Sequence, residues 1–145
     1  MNSVRDVLSG RSAPVVQIDE RQSVLEAARR MQANRIGCVV VTRAEKVIGI
    51  FTERDILMRI VAEGRNPADV QVGQVMSSPV ACCTPDTTLD ECVANFTAKR
   101  HRHMPVVEDS RLVGIISSGD LLARQVREHQ KTIMYLKEYM SSSTR

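Results

Sequence analysis

The feature that most limits what this chain can fold into is an internal repeat at a displacement of about 65 residues. The stretch Val47 to Leu57, VIGIFTERDIL, returns as Leu112 to Leu122, LVGIISSGDLL. Both carry Gly-Ile-x-[Thr/Ser]-x-x-Asp, with Gly49, Thr52 and Asp55 in the first copy and Gly114, Ser117 and Asp120 in the second. The register holds backwards without a gap: Val41 falls on Val106, Arg35 on Arg100, Ala33 on Ala98, Glu26 on Glu91 and Ser23 on Thr88. A single unit of about 50 residues leaves its sheet half covered, so the two units are expected to pack together around a shared core.

Each unit reads as β-α-β-β-α. A short β-prone stretch, Val15 to Ile18 or Val80 to Cys83, leads into a polar turn at Asp19-Glu20 or Pro85-Asp86. A helix follows, with Ser23 or Thr88 at its N-cap and an apolar face at helical spacing: Val24, Ala27, Ala28 and Met31, then Leu89, Cys92, Val93 and Phe96. Two strands come next, Gly37 to Thr42 with Val47 to Phe51, and Met104 to Val107 with Leu112 to Ile116. Short charged turns join them, as antiparallel hairpins require. A second helix starts near Thr52 and near Ser117, and short segments around Val4 to Leu8 and Val72 to Met76 precede the units. The expected fold class is α+β, a pseudo-two-fold pair of repeats with a C-terminal helix extension. The boundaries are residues 1–64 for the first repeat, 65–71 for a linker marked by Gly64 and Pro67, 72–126 for the second repeat and 127–145 for the extension.

Composition removes several function classes. Aromatic residues make up 3% and Trp is absent, so the core is aliphatic and platforms for stacking single-stranded bases are lacking. Twenty Lys and Arg stand against 17 Asp and Glu, interspersed for a net charge of +3, which is not the clustered footprint of a nucleic-acid binder. Cys38, Cys82, Cys83 and Cys92 show no Cys-x-x-Cys spacing, no secretory signal opens the chain, and no apolar run approaches the roughly 18 residues of a membrane span. A cytoplasmic chain with reduced thiols and no membrane contact is expected. A metal site at His101, His103, Cys82 and Cys83 is not, because adjacent strand residues face opposite ways.

The two units, together with Met76-Ser77-Ser78-Pro79-Val80 before the second and Arg102-His103-Met104-Pro105-Val106-Val107 within it, resemble a tandem pair of CBS (cystathionine-β-synthase) domains, the Bateman module. The resemblance runs from about Val4 to Val126. It implies a non-catalytic regulatory sensor that binds an adenine nucleotide (AMP, ATP or NAD(H)) or S-adenosylmethionine between its repeats and controls another protein, as yet unidentified. The catalytic barrel that accompanies such a pair in inosine monophosphate dehydrogenases has no counterpart here, so the resemblance carries no dehydrogenase activity. By position, one site combines Ile50, Thr52, Arg54 and Asp55 with Cys83, Thr84, His101, Arg102 and His103. The other combines Ile115, Ser117 and Asp120 with Ile18, Asp19, Ile36, Gly37 and Cys38.

The residues support that chemistry in part. A hydroxyl and an acid at a helix start offer a donor to phosphate and an acceptor to ribose hydroxyls, yet Thr52-x-x-Asp55 and Ser117-x-x-Asp120 equally fit capping boxes. The two sites are chemically unequal. Arg54, Arg102 and His103 bring cations to the first, where the second has Gly119, Gly37 and Cys38, so phosphate-rich ligands are expected to prefer the first. Lys99 to His103 also reads as a solvated helix end. From Leu122, a stripe of Val126, His129, Ile133, Leu136 and Met140 has coiled-coil spacing and either folds back on its own domain or pairs with a second copy; a homodimer is expected, with Ser141 to Arg145 frayed. Two rival readings stay open: a ligand-free interaction module docking through this helix, and a small nucleotide hydrolase using Asp55 or His103.

Overall fold

The computed structural model describes residues 3–11, 14–99 and 101–143. Helix α1 (Val4–Leu8) is followed by strand β1 (Gln17–Asp19), helix α2 (Val24–Asn34), the hairpin β2 (Cys38–Arg43) and β3 (Lys46–Thr52), and helix α3 (Glu53–Ile56), which widens into a π turn over Leu57–Val61. A 3-10 turn at Pro67–Asp69 and helix α4 (Val72–Val75) lead to helix α5 (Leu89–Lys99), the hairpin β4 (His103–Glu108) and β5 (Arg111–Ser117), and helix α6 (Ser118–Ser143). The α+β class therefore stands, and so does the repeated order except for the first strand of the second unit.

Local chemistry sets these boundaries. Ser23 Oγ accepts the Glu26 N–H at 3.1 Å, and Thr88 with Glu91 forms a reciprocal box, so both predicted N-caps cap. Both hairpins turn on two residues of positive φ, Ala44 and Glu45 in one and Asp109 and Ser110 in the other, the geometry that matches strand twist. In the first repeat, β1 pairs parallel with β2 and β2 antiparallel with β3. The second repeat has no matching first strand, and Cys83 alone bridges Val106. The cause is Pro105. Its counterpart Val40 donates its N–H to Val16, whereas a proline has no proton to offer, so the expected strand over Val80 to Cys83 stops at one bridge.

The expected shared core is instead two clusters. One holds Ile18, Val39, Val41 and Phe51 of the first repeat, the other Cys92, Met104, Val106 and Ile116 of the second. The halves are tied by exchanged segments. Helix α1, which opens the chain, buries Val4 in the second cluster and is held there by bonds from the Val4 and Arg5 N–H groups to Thr87 and Pro85 carbonyls, at 2.9 and 2.8 Å. Helix α4, which precedes the second repeat, buries Val72 and Val75 in the first cluster and is held by Gln22 and Glu20 carbonyls at 2.8 and 2.9 Å. Each such valine contributes about 2 kcal/mol of burial, so neither repeat is complete without the segment leading to the other. Strands β3 and β5 touch across the middle.

Helix α6 runs for 26 residues, ~39 Å at 1.5 Å per residue. Its stripe stays open, with Leu122 62%, Ile133 52% and Met140 66% exposed, which rules out the reading in which it folds back on its own domain. The expected fraying at Ser141 is also corrected: helix continues through Ser143, and residues 144–145 lie outside those described. No helix among the described residues is long and apolar enough to cross a membrane.

Candidate functional site

Strand β3 ends at Thr52 and turns directly into α3, so the Thr52 and Asp55 side chains are presented where the two repeats meet. There the structure leaves a cavity of about 790 Å³, within the range of small-molecule sites. Ile50, Thr52, Arg54 and Asp55 line it from the first repeat and His101, Arg102 and His103 from the second, as the sequence suggests. Arg100 lies outside the described residues. Sequence reasoning missed Glu53, Leu57, Met58, Arg59 and Ser77, which also line it. Ser77 had a signal in the Met76-Ser77 segment before the second repeat; Arg59, one turn beyond Asp55, reads from sequence as a surface ion pair.

The remaining assigned positions lie elsewhere. Cys83 belongs to the second core cluster, and its thiol donates to the Pro105 carbonyl at 3.7 Å, so it is packing rather than lining. Thr84 is occupied in its own turn, its N–H bonded to Thr87 Oγ1 at 3.0 Å. Ile18, the repeat equivalent of Cys83, is core as well, and Ile36 packs against the same cluster. Asp19 accepts the N–H and Nε of Arg21. Gly37, assigned to the second site, lines the first cavity instead, because β2 begins beside α3 and the Gly37 carbonyl accepts the Glu53 N–H at 3.0 Å. Cys38 is buried, and burial with the nearby Glu53 charge pushes its thiol up to about 12, which removes it as a nucleophile.

Asp55 is 6% exposed and heavily engaged. Its Oδ2 accepts the Thr52 N–H at 3.0 Å and the Thr52 hydroxyl at 3.2 Å, while the Asp55 N–H returns to Thr52 Oγ1 at 3.2 Å. Ser77 Oγ donates to Oδ1 at 3.1 Å, and Arg59 Nε stands 3.8 Å from the same oxygen. The acid is thus a helix cap first, and accepting a ribose hydroxyl requires Ser77 or Arg59 to yield a place. Arg59 is held in turn by the carbonyls of Val75 and Met76, which locks α4 to the cavity wall. His103 is held below its ordinary value by burial; Arg102 acts in the same direction, and Asp120 and Glu53 oppose them. It is a neutral donor-acceptor at pH 7, able to take a proton when an anion arrives.

In the second repeat Ser117 and Asp120 form the same reciprocal box, at 2.8 and 3.1 Å. Asp120 Oδ1, however, meets Arg11 Nη2 at 2.6 Å, and the Arg11 Nη1 donates to the Ile115 carbonyl at 2.9 Å. Burial pushes the Asp120 carboxyl up, but the Arg11 guanidinium and the Ser117 N–H and hydroxyl outweigh it and hold the group below the usual range.

Known proteins share this fold. The family model described as CBS domain matches residues 4–62 and again 72–127. The chain is 31% identical to the mitochondrial CBS domain-containing protein CBSX3 of Arabidopsis thaliana over 81% of its own length, and spans 60% of that relative. It is 30% identical to the CBS domain-containing protein YhcV of Bacillus subtilis, covering 87% of each chain. Among solved structures, the CBS domain NE2398 superposes with a TM-score of 0.80 at 34% identity, over 86% of this chain and 97% of that one. A hexameric CBS-CP12 protein from bloom-forming cyanobacteria superposes with a TM-score of 0.75 at 26% identity, over 84% and 70%.

Proposed function

The chain belongs to the CBS-domain family as a tandem pair of repeats, generally a regulatory module, and on that premise we propose that it is a cytoplasmic, non-catalytic sensor binding an adenine nucleotide in the cavity between its repeats. The observation that carries this is the composition of that cavity, about 790 Å³ with Arg54 from one repeat and Arg102, His101 and His103 from the other around the Thr52 hydroxyl. Guanidinium groups pair with phosphate through forked donors, and an imidazole adds a donor that strengthens as it protonates. The aliphatic wall of Ile50, Leu57 and Met58 receives the base. AMP is the ligand proposed first, with ATP, NAD(H) and S-adenosylmethionine as the others to compare. Binding from both repeats at once favours one relative packing of the halves, which is how such a module signals to the protein it controls.

Titration calorimetry with AMP, ATP, NAD(H) and S-adenosylmethionine tests the reading. Saturable binding without turnover is expected, weakened roughly tenfold or more in Arg102→Ala by loss of a charge-assisted bond. Silence with all four ligands sinks it, and product formation replaces it with an enzyme. Asp55→Ala is the poorer probe, because it also removes a helix cap.

Helix α6 supports self-association as the means of assembly. Leu122, Val126, Ile133, Leu136 and Met140 are about half exposed or more, a row of exposed apolar side chains at coiled-coil spacing. A homodimer joined through this seam is proposed. Sedimentation of the full chain and of Ile133→Glu should show a dimer and a monomer respectively; a monomer in both ends this part of the reading.

A further inference from the structure

Once the helix cap is satisfied, one carboxylate of the cavity is left over, and it is not the one the repeated motif supplies. Both Asp55 oxygens are engaged. The Thr52 N–H, the Thr52 hydroxyl and the Ser77 hydroxyl reach Oδ2 at 3.0, 3.2 and 3.3 Å, while Ser77 Oγ and Arg59 Nε stand 3.1 and 3.8 Å from Oδ1. A hydroxyl arriving with a ligand competes there with groups that hold the turn and α4 together.

Glu53 is in the opposite condition. It is the first residue of α3, lines the same cavity and is exposed, and among the described residues no hydrogen bond or ion pair engages its carboxylate. Its backbone is nevertheless fixed, because the Glu53 N–H donates to the Gly37 carbonyl at 3.0 Å. The side chain lies back over the start of β2, where a Cβ added at Gly37 would stand 3.2 Å from Oε1 and 3.4 Å from Cδ. Gly37 thus leaves the acid its place on the cavity wall. From there its charge reaches the Cys38 thiol on β2 and, across the cleft, the His103 imidazole on β4.

We propose that Glu53, rather than Asp55, reads the sugar of a bound nucleotide, accepting the 2′- and 3′-hydroxyls of ribose while Arg54 and Arg102 take the phosphate. This rests on the nucleotide reading of the cavity. An ionised carboxylate only accepts, and its two oxygens suit a cis-diol where a phosphate is repelled. A site that bonds a hydroxyl rejects the analogue lacking it, since its own polar group is then left unpaired. The ligand class narrows to ribonucleotides. Ser118 stands at the corresponding place in the second repeat, so the duplicated motif does not carry this acid.

Titration calorimetry of the full chain with AMP, 2′-deoxy-AMP and 3′-deoxy-AMP, in wild type, Glu53→Ala, Glu53→Gln and Asp55→Asn, tests this. The wild type should prefer AMP over each deoxy analogue about tenfold, the worth of one hydroxyl bonded to a carboxylate. Glu53→Ala should bring the three nucleotides within about twofold of one another. Because that variant also lifts a negative charge from the cavity, the deoxy nucleotides should bind as tightly as before or tighter, which a damaged cavity would not produce. Glu53→Gln should fall between. Asp55→Asn should weaken all three alike, through the cap, and keep their ratio. The Glu53 side chain is bonded to nothing, so thermal melts of its variants should overlay the wild type. A wild type that binds AMP and both deoxy analogues equally, or a Glu53→Ala that keeps the preference, overturns the Glu53 assignment and leaves the cavity reading standing. A ratio lost in Asp55→Asn but kept in Glu53→Ala returns the diol to Asp55. No binding of AMP to the wild type overturns both.

Discussion

Asp55 and Asp120 close identical helix caps on equivalent turns, yet Asp55 accepts a serine hydroxyl with Arg59 3.8 Å away beside a cavity, whereas Asp120 meets Arg11 directly at 2.6 Å. The difference lies in what each repeat borrows. Ser77 approaches Asp55 from the segment leading to the second repeat, and Arg11 approaches Asp120 from the segment leading to the first. The cap fixes where the acid points, and the exchanged segment decides what meets it. A duplicated motif therefore guarantees duplicated local structure but not duplicated surroundings, since those depend on groups far away in sequence.

The sharpest way to break this comparison is at the glycines beneath the two exchanged segments. A Cβ at Gly49 would stand 2.9 Å from the Ser77 carbonyl oxygen and 2.6 Å from Met76 Sδ, whereas one at Gly114 meets only the flexible end of Leu8. Gly49→Ala must move backbone and should cost about 3 kcal/mol, and Gly114→Ala about 1 kcal/mol. Equal costs in denaturant melts would mean that the two lead segments are equally pliable. Next come the acids. Asp55→Ala strands the Thr52 N–H and the Ser77 hydroxyl around a buried position and should cost about 2 kcal/mol, while Asp120→Ala, beside a partly exposed Arg11, should cost about 1 kcal/mol. A reversed order would show that the arginine, rather than the cap, fixes the second turn.

A third change acts on a feature the repeats share. Ala44 and Glu45 adopt left-handed φ of 49° and 67° without glycine or asparagine at either position. Ala44→Asn with Glu45→Gly should raise stability by about 1 kcal/mol. No gain, or a loss, would show that the charged turn makes a compensating contact.

The halves also differ in how much of them was legible. Hairpins, caps and repeat order follow from hydrophobic period and turn chemistry within a dozen residues, and these came out as expected. The strand over Val80 to Cys83 did not, although Pro105 stood in plain view: a missing N–H matters only once the register places it opposite Ala81. Likewise the family resemblance points Ile18 and Cys83 at the sites, but the period of two turns both into the cores. Arg102 and His103 are readable because they stand side by side at the start of β4, and Arg54 because it falls inside the repeated motif. Arg11 was not, since its partners lie more than a hundred residues on, and no local pattern announces a guanidinium that replaces a serine.

The smallest expected effect, below about 1 kcal/mol, is also the most specific, because pH moves the two positions in separate windows. His103 is held below its ordinary value, so the unfolded chain takes a proton first; stability present above about pH 6.5 falls as acid is added through the His103 range. Asp120 is likewise held below its ordinary value, so its contribution is complete above about pH 4 and is lost only as pH falls further, through its folded value. His103→Gln should flatten the upper window alone. Arg11→Ala should make only the lower one shallower, since it removes a group that holds Asp120 ionised while Asp6, Asp19 and Glu20 keep their own partners. Melts from pH 8 to 3 read both at once, and an Arg11 variant that still loses stability below pH 4 as steeply as wild type would mean that the Ser117 bonds alone depress Asp120.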